Sequence, residues 1–448
     1  MTMLLRRIFI VLAPLLAMAC GSAIPAASPD EDAQLTFFIG KIRAVDNHSH
    51  VNSTAPHDAD SDALPLDGLP PFPLPARLRP DSPVWLDAYR ALYGYRYADL
   101  SGPHFDELRS EMKRIAGEQG DRFPEWVLDR IGTDVMLANR VAMGPGLVPP
   151  RFRWVSYVDA LMLPLTTWAE RAATPDYQAL YPLEENLLHR FLVDLHLTAP
   201  PPTLDGYLRT VVTATLERQR DAGCVAVKFE AAYLRALDFD DTSEAAARGV
   251  YARFVNSHSQ GSPSHADYKR LQDFLFRYIA REAGRLGMAV HIHVFEAAGG
   301  FYRAAGSDPY LLESAFNDPS LRQTHFVMLH GGGVYASHAG AMLWKPNVYV
   351  DTSLMSLIYS PDMLADVLRG WLVQYPEKVL FGSDAFGSGP DTGWELAAWV
   401  SSTSARHALA RALTRMMRTG DVSRERAEAI ATMVMRTNAS QLYNLHLQ

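Results

Sequence analysis

Eight short apolar runs, most of them separated by helical patterning and ending on polar or charged residues, predict an α/β chain folded as a (β/α)8, or TIM, barrel. The runs lie near residues 42, 134, 152, 224, 288, 325, 347 and 379. Strands alternating with helices require a parallel sheet with covered faces. A doubly wound open sheet would want a glycine-rich phosphate turn after an early strand, and none is present. A chain of 448 residues is long enough for one such barrel with insertions.

The first segment reads as a targeting signal. Arg6 and Arg7 precede an apolar stretch, Ile8 to Met18, and Ala17-Met18-Ala19 is an A-x-A cleavage pattern. Cys20 follows directly, and LLAMAC resembles a bacterial lipobox, with Ala17 standing where the usual pattern has Leu. The expectation is a signal peptide over 1–19, then a tether over 20–38, with the barrel domain over 39–448. Export follows from this, either as a periplasmic protein or as a lipoprotein held at the membrane through Cys20.

The first strand ends in AVDNHSHV, which carries His48 and His50. On an extended strand residues i and i+2 share a face about 7 Å apart, so two imidazoles can converge on one ion with bonds of about 2.0–2.1 Å. Ser53 to Pro83 is proline-rich and lacks any apolar period, which excludes a helix or a central strand. A loop that long reads as a lid or a binding loop. Helical patterning runs with breaks from Val84 to Ile131. Two strands follow over 134–141 and 152–160, with only the turn-rich Met143 to Pro150 between them, too short for a helix. The barrel is therefore expected to be irregular there, with the proline-rich loop covering the mouth near the gap.

From Leu204 to Ala222 apolar residues recur at 204, 208, 211, 212 and 216, a helical stripe that stops at Gly223. The fourth strand, Cys224 to Glu230, is apolar until Lys228 and Glu230. A helix over 267–286 leads to the fifth strand, ending in His291 and His293. The sixth ends at His330 and Gly331-Gly332-Gly333, the seventh at Asp351, and the eighth at Gly382-Ser383-Asp384. Two more helical patterns, 395–418 and 423–445, close the chain.

Composition narrows the function. The chain is 48% hydrophobic and 21% charged with a net charge of −8, and it has no Lys/Arg run, which argues against nucleic acid as partner. No later apolar stretch reaches the roughly 18 residues of a membrane span. Apart from Cys20 the one cysteine is Cys224, which opens an apolar run with no basic neighbour and reads as a buried thiol.

Chemically capable residues fall at strand ends: His48 and His50 on the first, Lys228 on the fourth, His291 and His293 on the fifth, His330 on the sixth, Asp384 on the eighth. In a barrel these ends form one rim. Histidine, carboxylate and modified lysine suit zinc, manganese or a similar divalent ion.

With these motifs in view, the sequence resembles the amidohydrolase superfamily, in the amidohydrolase-related branch that also holds metal-dependent decarboxylases. The resemblance runs from about Ile42 to Leu445. It rests on D-x-H-x-H (Asp46, His48, His50), the strand-four lysine Lys228, I-H on strand five (His293), H-G-G on strand six (His330 to Gly332), G-S-D on strand eight (Asp384) and the closing NASQLYNL. The resemblance implies one or two metal ions, zinc first. In the two-metal form His48, His50 and Asp384 hold the more buried ion, a carboxylated Lys228 bridges, and His293 and His330 hold the second. In the one-metal form His48, His50, His293 and Asp384 are the ligands and His330 is catalytic beside them. Either way the metal would acidify a water, Asp384 would move its proton to the leaving group, and His330 or the metal would polarise the scissile carbonyl.

Other residues carry two readings. Lys228 can instead orient a substrate carboxylate. His291 reads as a core histidine deeper in the barrel. Glu230 either orients a ligand histidine or is solvated, and Asp351 reads as structural or substrate-facing. Trp154, Tyr157 and Asp159 line the pocket or pack the core, while Tyr233 and Arg235 are candidate substrate contacts. His57, His104, His258, His265, His338 and His407 are expected at the surface.

The leading expectation is an exported metal-dependent hydrolase that cleaves an amide, ester or lactone-type bond of a small molecule, with a homo-oligomer allowed for. Its rivals are a non-oxidative decarboxylase on the same site and a catalytically inactive, surface-attached binding barrel.

Overall fold

The computed structural model describes residues 29–447 except 66–68, 70–71, 256–260, 297–301, 388 and 390. The signal peptide, Cys20 and His258 lie outside those residues.

All eight predicted strands form: β1 (Ala44–Ser49), β2 (Thr133–Arg140), β3 (Phe152–Tyr157), β4 (Cys224–Phe229), β5 (Ala289–His293), β6 (Phe326–Leu329), β7 (Val348–Asp351) and β8 (Val379–Leu380). They pair in parallel and in sequence order. The seam between β8 and β1 is joined by backbone bonds from Asn47 N–H to Phe381 O, His50 N–H to Ala385 O and Asp384 N–H to His48 O, each 2.8 Å. This is the (β/α)8 barrel expected from the alternation of strands and helices.

Period-two alternation decides which side chains enter the barrel. Val45, Val135, Leu137, Val155, Ala226, Ala289, Val327, Leu329 and Leu380 fill its interior, and Ala439, Tyr443 and Leu445 plug it from below. Two residues further along the same strands, Asn139, Tyr157, Lys228 and His291 continue the inward row, and His293 extends it on β5. A register shift between Asp46 and Ser49 breaks the alternation of β1, so Asn47 lies over the plug and both His48 and His50 still reach the mouth.

The β2–β3 connection contains no helix. The proline-rich loop covers this gap. Asp58 accepts from the buried Arg140 at 2.5 and 2.9 Å, Asp60 O accepts from Val141 N–H at 3.0 Å, and the Asp60 carboxylate pairs with Arg190. Two expected helices are each interrupted by an i→i+5 turn, at Leu208–Thr213 and Met433–Thr437.

The expected tether over 20–38 is corrected at its end. Helix α1 spans Ala33–Lys41, capped by Asp32, and buries Leu35 and Ile39. Glu31 is buried between His407 (2.8 Å) and Arg411 (2.8 Å), which also removes His407 from the surface set. Burial would raise the Glu31 carboxyl pKa, but its hydrogen bonds to His407 and Arg411 hold it below the usual range. The partners come from the long closing helix α2 (Trp394–Thr419), which also donates from Arg406 to Ile42 O and Gly132 O and accepts from Asp32 N–H at Thr414.

Asp32 yields a pH prediction. Two bonds from Arg424 and one from Leu35 N–H hold its pKa at about 2, below the 3.8 of a free aspartate. A lowered folded-state pKa stabilises the fold above the free value, and that contribution is lost as pH falls through the folded one. Asp32→Asn should therefore lower Tm at pH 7, and its gap from the native chain should close between about pH 4 and pH 2. A gap that stays constant down to pH 2 would contradict the assignment.

Candidate metal centre

Three side chains converge at the C-terminal mouth. His48 Nε2 lies 3.0 Å and His50 Nε2 3.5 Å from Asp384 Oδ1. That oxygen is buried and has no hydrogen-bond partner among the described residues. The three donor atoms lie within 4.8 Å of one another. A tetrahedral ion with bonds of about 2.0–2.2 Å sets its donors roughly 3.3–3.6 Å apart, so these residues fit a divalent cation. Their chemistry, two imidazoles and a carboxylate, is that of zinc and related ions.

The surroundings fix each ligand. Asn139 Nδ2 lies 2.7 Å from His48 Nδ1, and Asp62 Oδ2 lies 3.1 Å from His50 Nδ1, as does the Tyr157 hydroxyl. Burial, then the Lys228 charge, pushes the His48 and His293 pKa values well below the ordinary value, so both stay neutral with a lone pair to give. Burial raises the Asp384 pKa against the opposing pull of His50 and Lys228.

His330 and Asp384 both sit in left-handed backbone, at φ 64° and 53°. For non-glycine residues this costs of order 1–3 kcal/mol each, and the surroundings must over-determine it. They do so here: Asp351 Oδ1 accepts from His330 N–H at 2.8 Å, and Asp46 Oδ1 accepts from Ser383 N–H at 2.9 Å. Gly331 follows at φ 60°, where a Cβ would run into Met355 Sδ and the Trp371 ring. The H-G-G and G-S-D turns thus serve to aim two side chains.

Hydrogen bonding also bears on the tautomer of His330. The Ser353 hydroxyl donates to Asp351 Oδ1 at 2.6 Å and lies 2.9 Å from His330 Nδ1. Its single proton being committed, it accepts from Nδ1–H, and Nε2 is left as an acceptor. Such an imidazole holds a cation or takes a proton.

The remaining candidates divide. His293 stands beside His330, ring centres 4.5 Å apart, with its Nε2 buried and without a hydrogen-bond partner among the described residues, but outside the tight triad. Lys228 Nζ lies 3.5 Å from His48 Nε2 and 3.6 Å from Glu230 Oε1. Glu230 is buried, not solvated, and it faces Lys228 rather than a ligand histidine. Burial, then the nearby Asp62, pushes its pKa up to about 8. Tyr233 packs on His293, with ring centres 4.7 Å apart. His291 bonds Tyr443 at 2.7 Å below the site, as a core histidine does, and Asp351 is a buried scaffold.

Two candidates point elsewhere. Arg235 is spent on Asp273 (2.7 Å) and Gln272 (3.0 Å) in the helix layer. Trp154 is out of phase with Val155 and Tyr157, so it faces outward and donates to Arg140 O. Sequence reasoning missed Asp62, Asn139 and Ser353. Asn139 was legible as the inward residue two after Leu137, and Ser353 as the residue two after Asp351.

Asp62 acts through His50, and a carboxylate behind a ligand histidine typically changes metal affinity by about 10–100-fold. Asp62→Asn should weaken metal binding by that factor in chelator competition, with the far-UV spectrum unchanged. An unaltered affinity would leave Asp62 with a loop-packing role only.

Comparisons with known proteins bear on the family and the fold. The amidohydrolase family profile matches residues 198–445. Protein fluG of Emericella nidulans is 25% identical over 236 residues, 51% of this chain but 26% of that protein's length. Among solved structures, a Lactobacillus casei ATCC 334 protein provisionally described as a metal-dependent hydrolase superposes with TM-score 0.57 at 15% identity, covering 92% of this chain and 97% of that one. A glucuronate isomerase from Caulobacter crescentus gives 0.60 at 13% identity, covering 93% and 94%. A uronate isomerase from Thermotoga maritima gives 0.51 at 15%, covering 92% and 98%. At such identities these likenesses speak to the fold alone.

Proposed function

This chain belongs to the amidohydrolase family, and from that premise we propose that it is a metal-dependent hydrolase cleaving an amide, ester or lactone-type bond of a small molecule. The observation that supports this reading is the convergence of His48, His50 and Asp384 around one unpartnered carboxylate oxygen. These three would hold a divalent ion, zinc first, with His293 adjacent. The ion, when bound, supplies Lewis acidity, making water acidic near neutral pH and polarising a carbonyl.

The protein's own part is proton handling and orientation. Asp384 takes the proton from the attacking water as the new C–O bond forms, then returns it to the leaving nitrogen or oxygen as the scissile bond breaks. His330, oriented through Ser353 by Asp351, offers Nε2 as a second acceptor on the same side, its Nδ1 3.9 Å from Asp384 Oδ2. Lys228, with Nζ 3.6 Å from Glu230 Oε1 and 3.5 Å from His48 Nε2, stands where it would meet a substrate anion beside the metal ligands. The reading takes the one-ion form, on His48, His50 and Asp384, with Lys228 uncarboxylated.

Metal analysis and isotope labelling test this together. The reconstituted protein should retain about one equivalent of metal and place oxygen from 18O-water in its product. Two equivalents would restore the bridged form. Loss of CO2 without label would make it a decarboxylase. Fewer than about 0.2 equivalents would favour an inactive binding barrel. We also propose export with lipid attachment at Cys20, which predicts palmitate-analogue labelling that disappears in Cys20→Ala.

A further inference from the structure

Tyr233 stands at the mouth without a task in holding the metal. It closes the one-turn 3-10 helix Ala231–Tyr233 directly after β4, and its N–H donates to Glu230 O at 2.9 Å. Its ring packs on His293 with centres 4.7 Å apart, and only 9% of the residue is exposed. Burial, then the carboxylates of Glu230, Asp384 and Asp62, pushes its pKa well above the ordinary phenol value. The proton therefore stays on the hydroxyl, and the charges that act on it are those of the ligand side of the barrel end.

The neighbouring donors are engaged. Asn139 Nδ2 serves His48 Nδ1 and Ser49 O, the Ser353 hydroxyl is committed to Asp351, and the Tyr157 hydroxyl lies between His50 Nδ1 and Asn139 O. The Tyr233 hydroxyl differs. It has no hydrogen-bond partner among the described residues, yet it is not one of the unpartnered atoms sealed from solvent. A buried tyrosine ordinarily spends its O–H on a partner. One that keeps it open beside the metal ligands offers a donor to a molecule that enters the mouth.

We propose that Tyr233 is a catalytic residue whose hydroxyl donates to the substrate carbonyl oxygen as that oxygen becomes an oxyanion. The role rests on the hydrolytic reading of the same mouth. As the water oxygen bonds to the carbonyl carbon, the π pair of the C=O bond moves onto the carbonyl oxygen. Tyr233 O–H bonds to that oxygen and keeps its own proton. When the pair returns and C=O forms again, the leaving group departs with the proton carried by Asp384. A donor fixed beforehand by its packing on His293 meets the charge without reorganising, and such a donor typically contributes about 10²–10³ in kcat.

Methylphosphonate, a tetrahedral oxyanion, is the probe, titrated by calorimetry against the full, metal-loaded chain. Tyr233→Phe removes the hydroxyl and leaves a ring to pack on His293, so metal content should stay native. The variant should bind methylphosphonate at least about tenfold more weakly, the worth of one hydrogen bond to a charged group. In the native chain the probe should also produce a tyrosine ultraviolet difference band that is absent from the variant. Equal affinity in the two chains overturns the proposal, as does a band that survives the substitution or a native chain that does not bind the probe. Product without 18O label would instead sink the hydrolytic reading, and the catalytic role with it, even where the two affinities differ.

Discussion

Asp384→Asn should abolish function while leaving the barrel folded. Asparagine keeps the shape and the backbone bond to His48 O, so the left-handed turn persists. It cannot carry a proton from water to leaving group, and general acid–base catalysis is worth about 10²–10⁴ in rate. It also replaces an anionic donor between two histidines with a neutral amide, so metal affinity falls too. Turnover on any hydrolysed substrate should therefore drop by at least about 10³ at saturating metal. A variant that retains a tenth of native turnover would remove Asp384 from the chemistry.

The second large effect concerns stability. Arg140 is fully buried and donates to Asp58, Val51 O and Ala142 O. Removing one partner of a buried ion pair leaves an uncompensated charge and typically costs about 3–5 kcal/mol. Arg140→Met should lower unfolding free energy by that order in urea, and Asp58→Asn on the same background should recover part of it. Because Asp62 lies four residues beyond Asp58 on the same loop, Arg140→Met should also weaken metal binding. Stability loss without any change in metal affinity would separate the loop from the site.

The strands were legible because a parallel strand buried on both faces is a continuous apolar run, and each run ended where its chemistry began. The inward phase was legible as well: Lys228 follows Ala226, and His291 and His293 follow Ala289, by twos. Trp154 shows the same rule setting aside a tempting residue. Asp62 was hidden because its position depends on Arg140 and Arg190 pinning an irregular loop, and no period reports such tertiary ion pairs. Arg235 was misplaced for a similar reason, since its partner Asp273 sits on the far helix layer. The state of His330 depends on where one hydroxyl proton points, which only the Asp351–Ser353 geometry decides.

Docking of the chain's early residues has an orientational outcome. Arg406 touches the starts of β1 and β2, and Thr414, which receives Asp32 N–H, lies eight residues, roughly 12 Å, further along α2. The described start of the chain, Glu31 and Asp32, is thus held on α2 on the side of the strand starts, the pole opposite the metal centre. In the lipid-attached form proposed above, the catalytic opening would look out into the surrounding medium, with the floor toward the bilayer. A fluorophore at Val334 on the rim should then be quenched freely by a soluble agent in vesicle-bound protein, and one at Lys41 should be shielded; the reverse pattern would invert the orientation.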